Sequence, residues 1–533
     1  MKSFFRNIPP YAWLLALLPA LRVFAGNVDR LAVSWFFLCL AVTAAIYFIG
    51  RAILRLIVSD GELAELWWAI LYVCVLAAGF FIPVAGGKLL WIGLCLASAI
   101  AVTMTASWRR IASRVLTIFA GTGCAVPVFL MLVSPVWLER PAIRQLAAAA
   151  FGELPKPTIG TEADKRDIYY LIFDRYARAD QLRDIYGYDN EPFIRELESR
   201  GFAVAEQSFA NYQRTTHSLI SSLNLDYLKG LDREPASSSH DWLPLYEMLQ
   251  DFRLRRFLDA QGYEFHFFGA WWEPTRVNRF AHENHNWLAI PEPFRAMLDQ
   301  SLIPYFANLA GAEIFNHRLV QCQRSKRGFA ELTNLAQEPQ APKFVFAHFL
   351  VPHPPFVMDE SGRCISAEEA KAHSRAENYT RQVAYTNREI LKFLDVAMSR
   401  PGRKPIIIIQ SDEGPWPQRF AGDEITALGA DVTPADWRKA TRAELVEKMA
   451  ILNALYLPDR NMSVIEETAS PVNSFRLVLR EYFGIPLEPL PDRQIIFESA
   501  KRLYRFHDVT ESLSAEITSH PRREKTGLRP ALD

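Results

Sequence analysis

Acidic side chains follow two strongly apolar segments of this chain. Asp174 ends the run DIYYLIFD, and Asp412 and Glu413 follow four consecutive isoleucines in KPIIIIQSDEG. His348 and His353 stand within or directly after a third apolar run, KFVFAHFLVPHPP. Carboxylates packed together repel one another and take up protons unless a cation balances them. A divalent cation with oxygen ligands is the usual solution, so the pattern predicts a metal site.

The stretch NYQRTTHSLISSLN places hydroxyl groups at the start of a predicted helix. Thr215, Thr216 and Ser218 could each lie at its first turn. The positive end of a helix dipole favours an anion such as a phosphate group. A hydroxyl bound to a metal ion has a lowered pKa and becomes a nucleophile. The same hydroxyls could instead serve only as helix caps.

These residues are far apart in the sequence, so a fold must bring them together. Apolar runs of strand length alternate with helical patterns between residues 167 and 485. Strands that are apolar on both faces and alternate with helices predict a mostly parallel sheet covered on both sides. In such an α/β domain the active site lies outside the carboxyl ends of the strands.

The first 140 residues are mostly apolar and contain five candidate membrane helices, each near the roughly 20 residues that a span requires. They cover residues 11–26, 31–57, 63–84, 89–106 and 115–138. The first could instead be an uncleaved signal-like segment. Lys2, Arg6, Arg51, Arg55 and Arg109 fall in alternate loops, which places the N-terminus in the cytoplasm and everything after residue 138 outside. In a bacterium this is an inner-membrane protein with a periplasmic domain.

Composition and cysteine placement set further limits. The 533 residues carry a formal net charge of zero, which offers no bulk electrostatic attraction for nucleic acid. Cys322 and Cys364 lie in the outer part, where an oxidising compartment would allow them to pair.

We divide the chain into a transmembrane region (1–140), a linker (141–165), a catalytic domain (166–510) and a disordered tail (511–533).

The order of these motifs resembles the sulfatase-like branch of the alkaline phosphatase superfamily. Asp174, a hydroxyl some 40 residues later, the PHPPF loop, the SDEG strand end and the late helix PVNSFRLVLREYFGIP occur in the family's order. The likeness is to membrane-anchored members such as lipoteichoic acid synthase and the phosphoethanolamine transferases, which also combine five spans with an outer domain. It implies an alkaline-phosphatase-like domain over residues 165–490.

The resemblance implies roles for individual residues. Asp174 and Asp412 correspond to metal ligands. Thr215, with Thr216 as second choice, corresponds to a metal-bound nucleophile that becomes a phospho-threonine. His353 corresponds to a substrate-binding or leaving-group histidine.

Four other residues are candidates for binding the substrate. His348 could support His353, and Arg175 stands next to Asp174. Trp272 and Arg276 lie in a segment rich in aromatic and basic residues, which suits a phosphate-bearing headgroup or glycan. The same segment could equally be a structured loop with buried tryptophans.

The sequence departs from the family pattern at two places. RTTHS contains no cysteine and no Pro-x-Arg, so the formylglycine that sulfate ester hydrolysis requires cannot form there. The usual Asp-His pair is replaced by Asp412 and Glu413. If Glu413 is a ligand, the all-oxygen site favours Mn²⁺ or Mg²⁺, with Zn²⁺ or Ca²⁺ also possible.

The expected function is metal-dependent transfer of a phospho-group through Thr215. Membrane anchoring suggests a membrane lipid as donor and a cell-envelope glycan or lipid as acceptor. One alternative is a phosphodiesterase or sulfatase-type hydrolase, in which water is the acceptor. The other is a non-catalytic envelope scaffold whose site has decayed, for which the Asp-Glu pair is the main argument.

Overall fold

The apolar runs with polar ends become neighbouring strands of one central sheet. The computed structural model describes residues 8–76, 78–79, 87–158, 165–338, 342–420, 436–460 and 470–517. Among these, seven strands form a sheet of order β2-β7-β6-β1-β5-β3-β4, and two more form a separate hairpin. The strands are β1 (Ile168–Phe173), β2 (Ala203–Val204), β3 (Glu264–Phe268), β4 (Glu283–His285), β5 (Lys343–Phe349), β6 (Ile406–Gln410), β7 (Asn453–Tyr456), β8 (Ile495–Ser499) and β9 (Arg502–Asp508).

Helices lie before the sheet in the sequence and between its strands. The N-terminal helices are α1 (Pro10–Ala25), α2 (Val33–Ile57), α3 (Gly61–Leu76), α4 (Lys88–Met104), α5 (Ala106–Leu132) and α6 (Val136–Ala150). The remaining helices are α7 (Ala179–Asp184), α8 (Glu191–Ser199), α9 (Thr215–Asn224), α10 (Leu243–Gln250), α11 (Arg253–Ala260), α12 (Glu292–Asp299), α13 (Ile303–Leu309), α14 (His317–Leu335), α15 (Ala367–Lys371), α16 (Arg375–Ser399), α17 (Arg442–Met449), α18 (Pro471–Phe483) and α19 (Thr510–Ile517).

The sheet is mostly parallel, as the sequence predicted. Strand β1 pairs in parallel with β5 and β6, and β3 pairs in parallel with β5 and β4. The pairs β6–β7 and β2–β7 are antiparallel. Both faces are buried: Tyr170 and Phe346 belong to one core cluster, and Leu171 and Ala347 to the other. Burial on both faces explains why these strands are uninterrupted apolar runs.

Two of the N-terminal helices in the described residues are long and apolar enough to cross a membrane, α2 and α5. The shorter apolar helices α1 and α4 fall at two other predicted spans. Helix α3 covers the start of the predicted span 63–84, and residues 77 and 80–86 of that span lie outside the described part of the chain. The structure therefore supports an apolar helical N-terminal region without establishing five spans.

Ion pairs connect this region to the α/β domain. The guanidinium of Arg140, in α6, donates to both carboxylate oxygens of Asp241 at 2.7 and 2.9 Å, and the pair is buried. The backbone oxygen of Asp29, in the loop after α1, accepts hydrogen bonds from the amides of Trp242 and Leu243. A buried bidentate pair fixes orientation as well as distance, so these contacts hold the domain against the N-terminal helices.

One local feature differs from the sequence prediction, and another realises a pairing that the sequence left open. The first residues of the predicted tail form α19, because Leu513 packs into the cluster that contains Trp437 and Met449. Residues 518–533 of that tail lie outside the described residues. Cys322 and Cys364 form a disulfide with their Cα atoms 5.7 Å apart.

Candidate active site

The central strands of the sheet deliver three polar side chains to one place. Strand β1 lies between β6 and β5, and its residue Ile172 stands beside Gln410 on one side and His348 on the other. Asp174 follows directly after β1, and its amide donates to the backbone oxygen of Phe349 at 2.9 Å. Asp412 follows two residues after β6. Adjacent parallel strands end at the same edge, so the three side chains converge there.

Asp174, His348 and Asp412 form a group that can hold a metal ion. One potential ligand atom from each lies within 4.8 Å of the other two. The Nε2 atom of His348 is 3.7 Å from Oδ2 of Asp174, and all three residues are buried. Among the described residues, neither carboxylate oxygen of Asp412, nor Oδ1 of Asp174, nor Nε2 of His348 has a hydrogen-bond partner. Buried polar atoms normally have partners, so this arrangement fits a bound cation.

The pKa values of these three side chains also indicate that the group needs a bound cation. Burial and the neighbouring charges of Asp412 and Glu413 raise the pKa of Asp174 well above its ordinary value. Burial and Glu413 raise the pKa of Asp412 to about 7. Burial lowers the pKa of His348 to about 3, which leaves a neutral imidazole. A cation is needed if both acids are to stay ionised at neutral pH, and a neutral imidazole is ready to bind it.

Thr275 orients the His348 ring. Its hydroxyl lies 2.8 Å from Nδ1 of His348, and Thr275 itself is buried. When Nδ1 carries the ring proton and donates it to Thr275, Nε2 has the lone pair and faces Asp174. The ring of Trp272 lies at an angle to the imidazole, with centroids 6.3 Å apart. A hydrogen bond to the ring nitrogen that does not bind the metal is the usual way in which a metal-binding histidine is held in place. Sequence reasoning did not identify Thr275, because nothing in the sequence distinguishes it from other loop threonines.

Thr215 stands at the first residue of α9 and beside this group. Its side chain is partly exposed, whereas that of Thr216 is buried. The Thr215 side chain also lowers the pKa of Asp412, which partly offsets the effect of burial. The backbone amide of Thr215 donates to Oε2 of Glu413 at 3.0 Å. Of the two candidate threonines, Thr215 is therefore the one that is partly exposed and influences Asp412.

Glu413 is held by four donors away from the group of Asp174, His348 and Asp412. Its Oε1 accepts from Arg175 Nε at 3.2 Å, from Trp416 Nε1 at 3.1 Å and from Lys448 Nζ at 2.8 Å. Its Oε2 accepts from the Thr215 amide. Burial favours the neutral acid, but the charges of Lys448, Arg175 and Arg214 outweigh it and lower the pKa of Glu413. The residues predicted to be metal ligands are thus split into two neighbouring groups.

A cluster of cations surrounds Glu413 and Trp416. The Nζ atom of Lys448 lies 4.6 Å from the centre of the Trp416 ring, and the guanidinium of Arg214 lies 4.2 Å from it. Lys448 is fully buried, and burial lowers its pKa to about 8. Sequence reasoning missed Lys448, because a lysine near the end of the α17 pattern resembles an ordinary surface residue. Its burial against a tryptophan arises only from tertiary contacts.

The remaining predicted residues divide between the site and its surroundings. The half-buried ring of His353 lies 6.3 Å from the ring of Trp271, and burial together with the charges of Arg175 and Lys448 lowers its pKa well below the ordinary value. Arg175 takes part in binding Glu413. The structure does not bring Arg276 to the metal-binding group: its guanidinium pairs with Glu273 and lies 5.8 Å from the ring of Trp35 in α2.

Comparison with protein families places this site in a known context. The family model described as Sulfatase matches residues 176–443, just over half of the chain. The chain belongs to the sulfatase family. It is a sulfatase-like enzyme of the phosphotransferase or hydrolase kind, as the order of its motifs predicted. The matched region contains Thr215, Asp412 and Glu413.

Several solved structures resemble this sulfatase-family chain. The C-terminal periplasmic domain of EcEptC from Escherichia coli is 12% identical, and the similarity covers 67% of this chain and 96% of that one with a TM-score of 0.43. The periplasmic domain of phosphoethanolamine transferase EptC from Campylobacter jejuni is 13% identical, covering 63% and 96% with a TM-score of 0.39. The integral membrane lipooligosaccharide phosphoethanolamine transferase A from Neisseria meningitidis is 14% identical, covering 88% and 94% with a TM-score of 0.38. No curated protein matches the chain. At such low identities and TM-scores, these similarities carry no inference about activity.

We predict that Glu413→Gln destabilises the protein while its neighbour Asp412→Asn does not. The first change leaves buried Lys448 and Arg175 without their counter-charge, which costs about 3–5 kcal/mol. The second removes a buried carboxylate that lacks a partner. Thermal unfolding of the purified chain at pH 7 in a metal chelator measures both. Equal melting temperatures for Glu413→Gln and the unchanged protein would contradict this assignment.

The metal-free protein should also lose stability as the pH rises from about 4 to about 7. Over this range the unfolded chain releases the Asp412 proton while the folded chain keeps it, because the folded pKa is raised to about 7. The full effect is on the order of 4 kcal/mol at pH 7 and above. The variant Asp412→Asn isolates the contribution of Asp412 to this pH dependence, since asparagine does not titrate. In chelator the variant should become increasingly more stable than the parent over this range, whereas with bound metal the parent should be the more stable of the two, because Asp412 is a proposed ligand. A constant difference would refute the raised pKa.

Proposed function

We propose that this sulfatase-family chain transfers a phospho-group from a membrane lipid to an alcohol acceptor, with Thr215 as nucleophile. The observation that carries the proposal is the position of Thr215, partly exposed at a helix N-terminus and close enough to Asp412 for its side chain to lower the pKa of that carboxyl. A hydroxyl in this position can be deprotonated and directed at phosphorus. The absence of a formylglycine precursor in RTTHS favours phospho-group over sulfate chemistry.

Asp174, His348 and Asp412 are the residues we propose to hold the metal ion, with Thr215 completing the set. Two carboxylates and one imidazole suit Zn²⁺ or Mn²⁺ better than the all-oxygen set with Glu413 would. When bound, the ion would lower the pKa of the Thr215 hydroxyl and balance charge on the phosphoryl oxygens. Glu413 has another role in this proposal: it fixes the first turn of α9 through the Thr215 amide.

The proposed reaction has two steps on the protein's own side chains. The Thr215 hydroxyl loses its proton as its oxygen attacks the phosphorus, the bond to the donor's alcohol breaks, that alcohol leaves with a proton, and a phospho-threonine remains. An acceptor hydroxyl then loses its proton and attacks the same phosphorus, and the Thr215 oxygen leaves and regains a proton. His353, whose lowered pKa leaves it neutral, can take the proton from the acceptor hydroxyl. The cationic side chains of Arg175, Arg214 and Lys448 exceed the single negative charge of Glu413, and this excess favours the transferred anionic group.

Three features support a membrane donor and an extracytoplasmic site. Leu56, Ile118 and Leu132 on the N-terminal helices are 89%, 71% and 76% exposed, which suits contact with lipid better than with water. The segment that orients His348 also contacts α2, because Arg276 next to Thr275 lies over Trp35. The Cys322–Cys364 disulfide fits an oxidising compartment such as the periplasm. We therefore propose a multi-pass protein of a bacterial inner membrane, with an envelope glycan or lipid as acceptor.

A covalent trap tests the nucleophile. After incubation of the purified chain with phospholipid, mass spectrometry should find the phospho-group on Thr215. Thr215→Ala should lose the adduct and lower turnover by at least about 10³-fold, since a covalent route then has no attacking group. Thr216→Val removes the adjacent hydroxyl with little change in shape and should keep both the adduct on Thr215 and the turnover. An adduct on Thr216, or full turnover by Thr215→Ala, would rule out the proposal. With labelled lipid, a label found on water-soluble phosphate instead of an acceptor would identify the hydrolase alternative.

Thr275→Val tests the proposed metal ligation by His348. The substitution preserves shape but removes the hydrogen bond to Nδ1, so His348 Nε2 should be less well oriented. We expect metal affinity to fall by roughly 10–100-fold, with activity restored at saturating metal. Titration of the chelator-treated protein with Zn²⁺ or Mn²⁺ measures the change. An unchanged affinity would mean that His348 does not bind the metal.

A further inference from the structure

A second set of metal-binding side chains lies on the edge of the sheet. His266 is in β3, and Glu283 and His285 are in the edge strand β4. The parallel register places His266 beside Glu283 and Phe268 beside His285. One potential ligand atom from each of the three lies within 4.8 Å of the others. His266 also pairs with Val345 of β5, three residues and so about 10 Å along the strand from His348. The set is therefore separate from the proposed active site.

The three ligand atoms have the spacing of a zinc site. Nδ1 of His266 lies 3.2 Å from Nε2 of His285. Oε2 of Glu283 lies 3.7 Å from each of these nitrogen atoms. Ligands at about 2.0–2.1 Å from a tetrahedral ion are separated from one another by roughly 3.3 Å. The triangle of donors is thus close to one face of such a tetrahedron, with the remaining position open to water.

The other ring nitrogens face carboxylates, as in many zinc sites. Nε2 of His266 lies 3.7 Å from Oε2 of Glu264. Nδ1 of His285 lies 4.0 Å from Oε2 of Glu331, in α14. These distances are longer than hydrogen bonds, but they place a carboxylate on the outer side of each ring, where zinc-binding histidines usually have one. Phe268 stacks on the His285 ring with centroids 4.2 Å apart, which further fixes its orientation.

We propose that His266, Glu283 and His285 bind a structural Zn²⁺ ion. A simple hydrogen bond between the two histidines would explain the 3.2 Å distance alone. It would not explain why Glu283 approaches both nitrogens equally, or why each outer nitrogen faces its own carboxylate. Burial lowers the pKa of both histidines, so their rings are neutral and able to coordinate at neutral pH.

The ion would fasten the edge strand and the loop that reaches the active site. The backbone oxygen of His285 accepts from the amide of Gly269 at 3.2 Å. The side chain of Asn286 donates to the backbone oxygens of Ala270 and Arg276 at 2.7 and 2.6 Å. The segment between those two residues contains Thr275, which orients His348. Edge strands of three residues have few hydrogen bonds of their own, so a metal clip there would have a large local effect.

Zinc stoichiometry of the full-length chain, purified in detergent, tests the site. Asp412→Asn serves as background, because it removes a ligand of the proposed catalytic metal. After chelation and re-equilibration with Zn²⁺, this background should retain about one equivalent per chain. The same protein with Glu283→Gln or His285→Ala as a second substitution should no longer bind this equivalent of zinc. Added Zn²⁺ should raise the melting temperature of the background protein but not of these double variants.

Two controls keep the outcome decisive. Glu206→Gln and His373→Ala remove one exposed carboxylate and one exposed imidazole outside the set, and should leave the bound zinc unchanged. Glu283 is itself exposed, so Glu283→Gln should fold even if His285→Ala does not. Retention of the same zinc by Asp412→Asn with Glu283→Gln would overturn the proposal. So would a background protein that binds no zinc, whatever the activity of the unaltered enzyme.

Discussion

Asp174 and Asp412 are buried side by side, and they cannot both remain ionised unless positive charge balances them. Burial and the charge of Glu413 raise the pKa of Asp412 to about 7, and the Thr215 side chain offsets only part of that rise. The neutral ring of His348 adds a donor atom without adding charge. A divalent ion would balance the charge of both carboxylates and would accept the free donor atom of the imidazole. Much of the surrounding architecture, from the parallel strands to the Thr275 hydrogen bond, serves to hold these atoms where an ion can reach them.

The adjacent acids Asp412 and Glu413 illustrate how one strand end can serve two purposes. Both residues lie in the bend that follows β6, where the carboxylate of Asp412 faces the metal-binding group and that of Glu413 faces Lys448 and Arg175. Glu413 keeps its charge because those cations lower its pKa. The replacement of the family's histidine by glutamate therefore need not mean a decayed site. In this chain an imidazole reaches the same region from β5, and the glutamate organises the helix start that presents Thr215.

The parts of the fold that could be predicted from sequence are those with a strong local pattern. Strands β1, β5 and β6 are runs of apolar residues that end in polar ones, and their order along one edge follows from parallel pairing. The direction of the Glu413 side chain was not predictable, since it depends on Lys448, which is distant in sequence and looks like a surface residue. A strand of three residues such as β4 carries too short a pattern to be recognised. The second histidine set was missed for that reason, because its ligands become neighbours only when β4 pairs with β3.

Helix α9 combines small polar residues with charged neighbours at its first turn. Ser218 and Ser222 are buried in α9, and their hydrogen bond stays within the helix. The first residue of this helix, Thr215, stands beside Asp412. The helix N-terminus, Arg175, Arg214 and Lys448 then supply positive potential on one side of Thr215, and the metal-binding group lies on the other. An anion between them would be stabilised from both sides, whereas a neutral ester would gain little. The arrangement therefore selects for a charged phospho-group at the moment of transfer, when its negative charge is greatest.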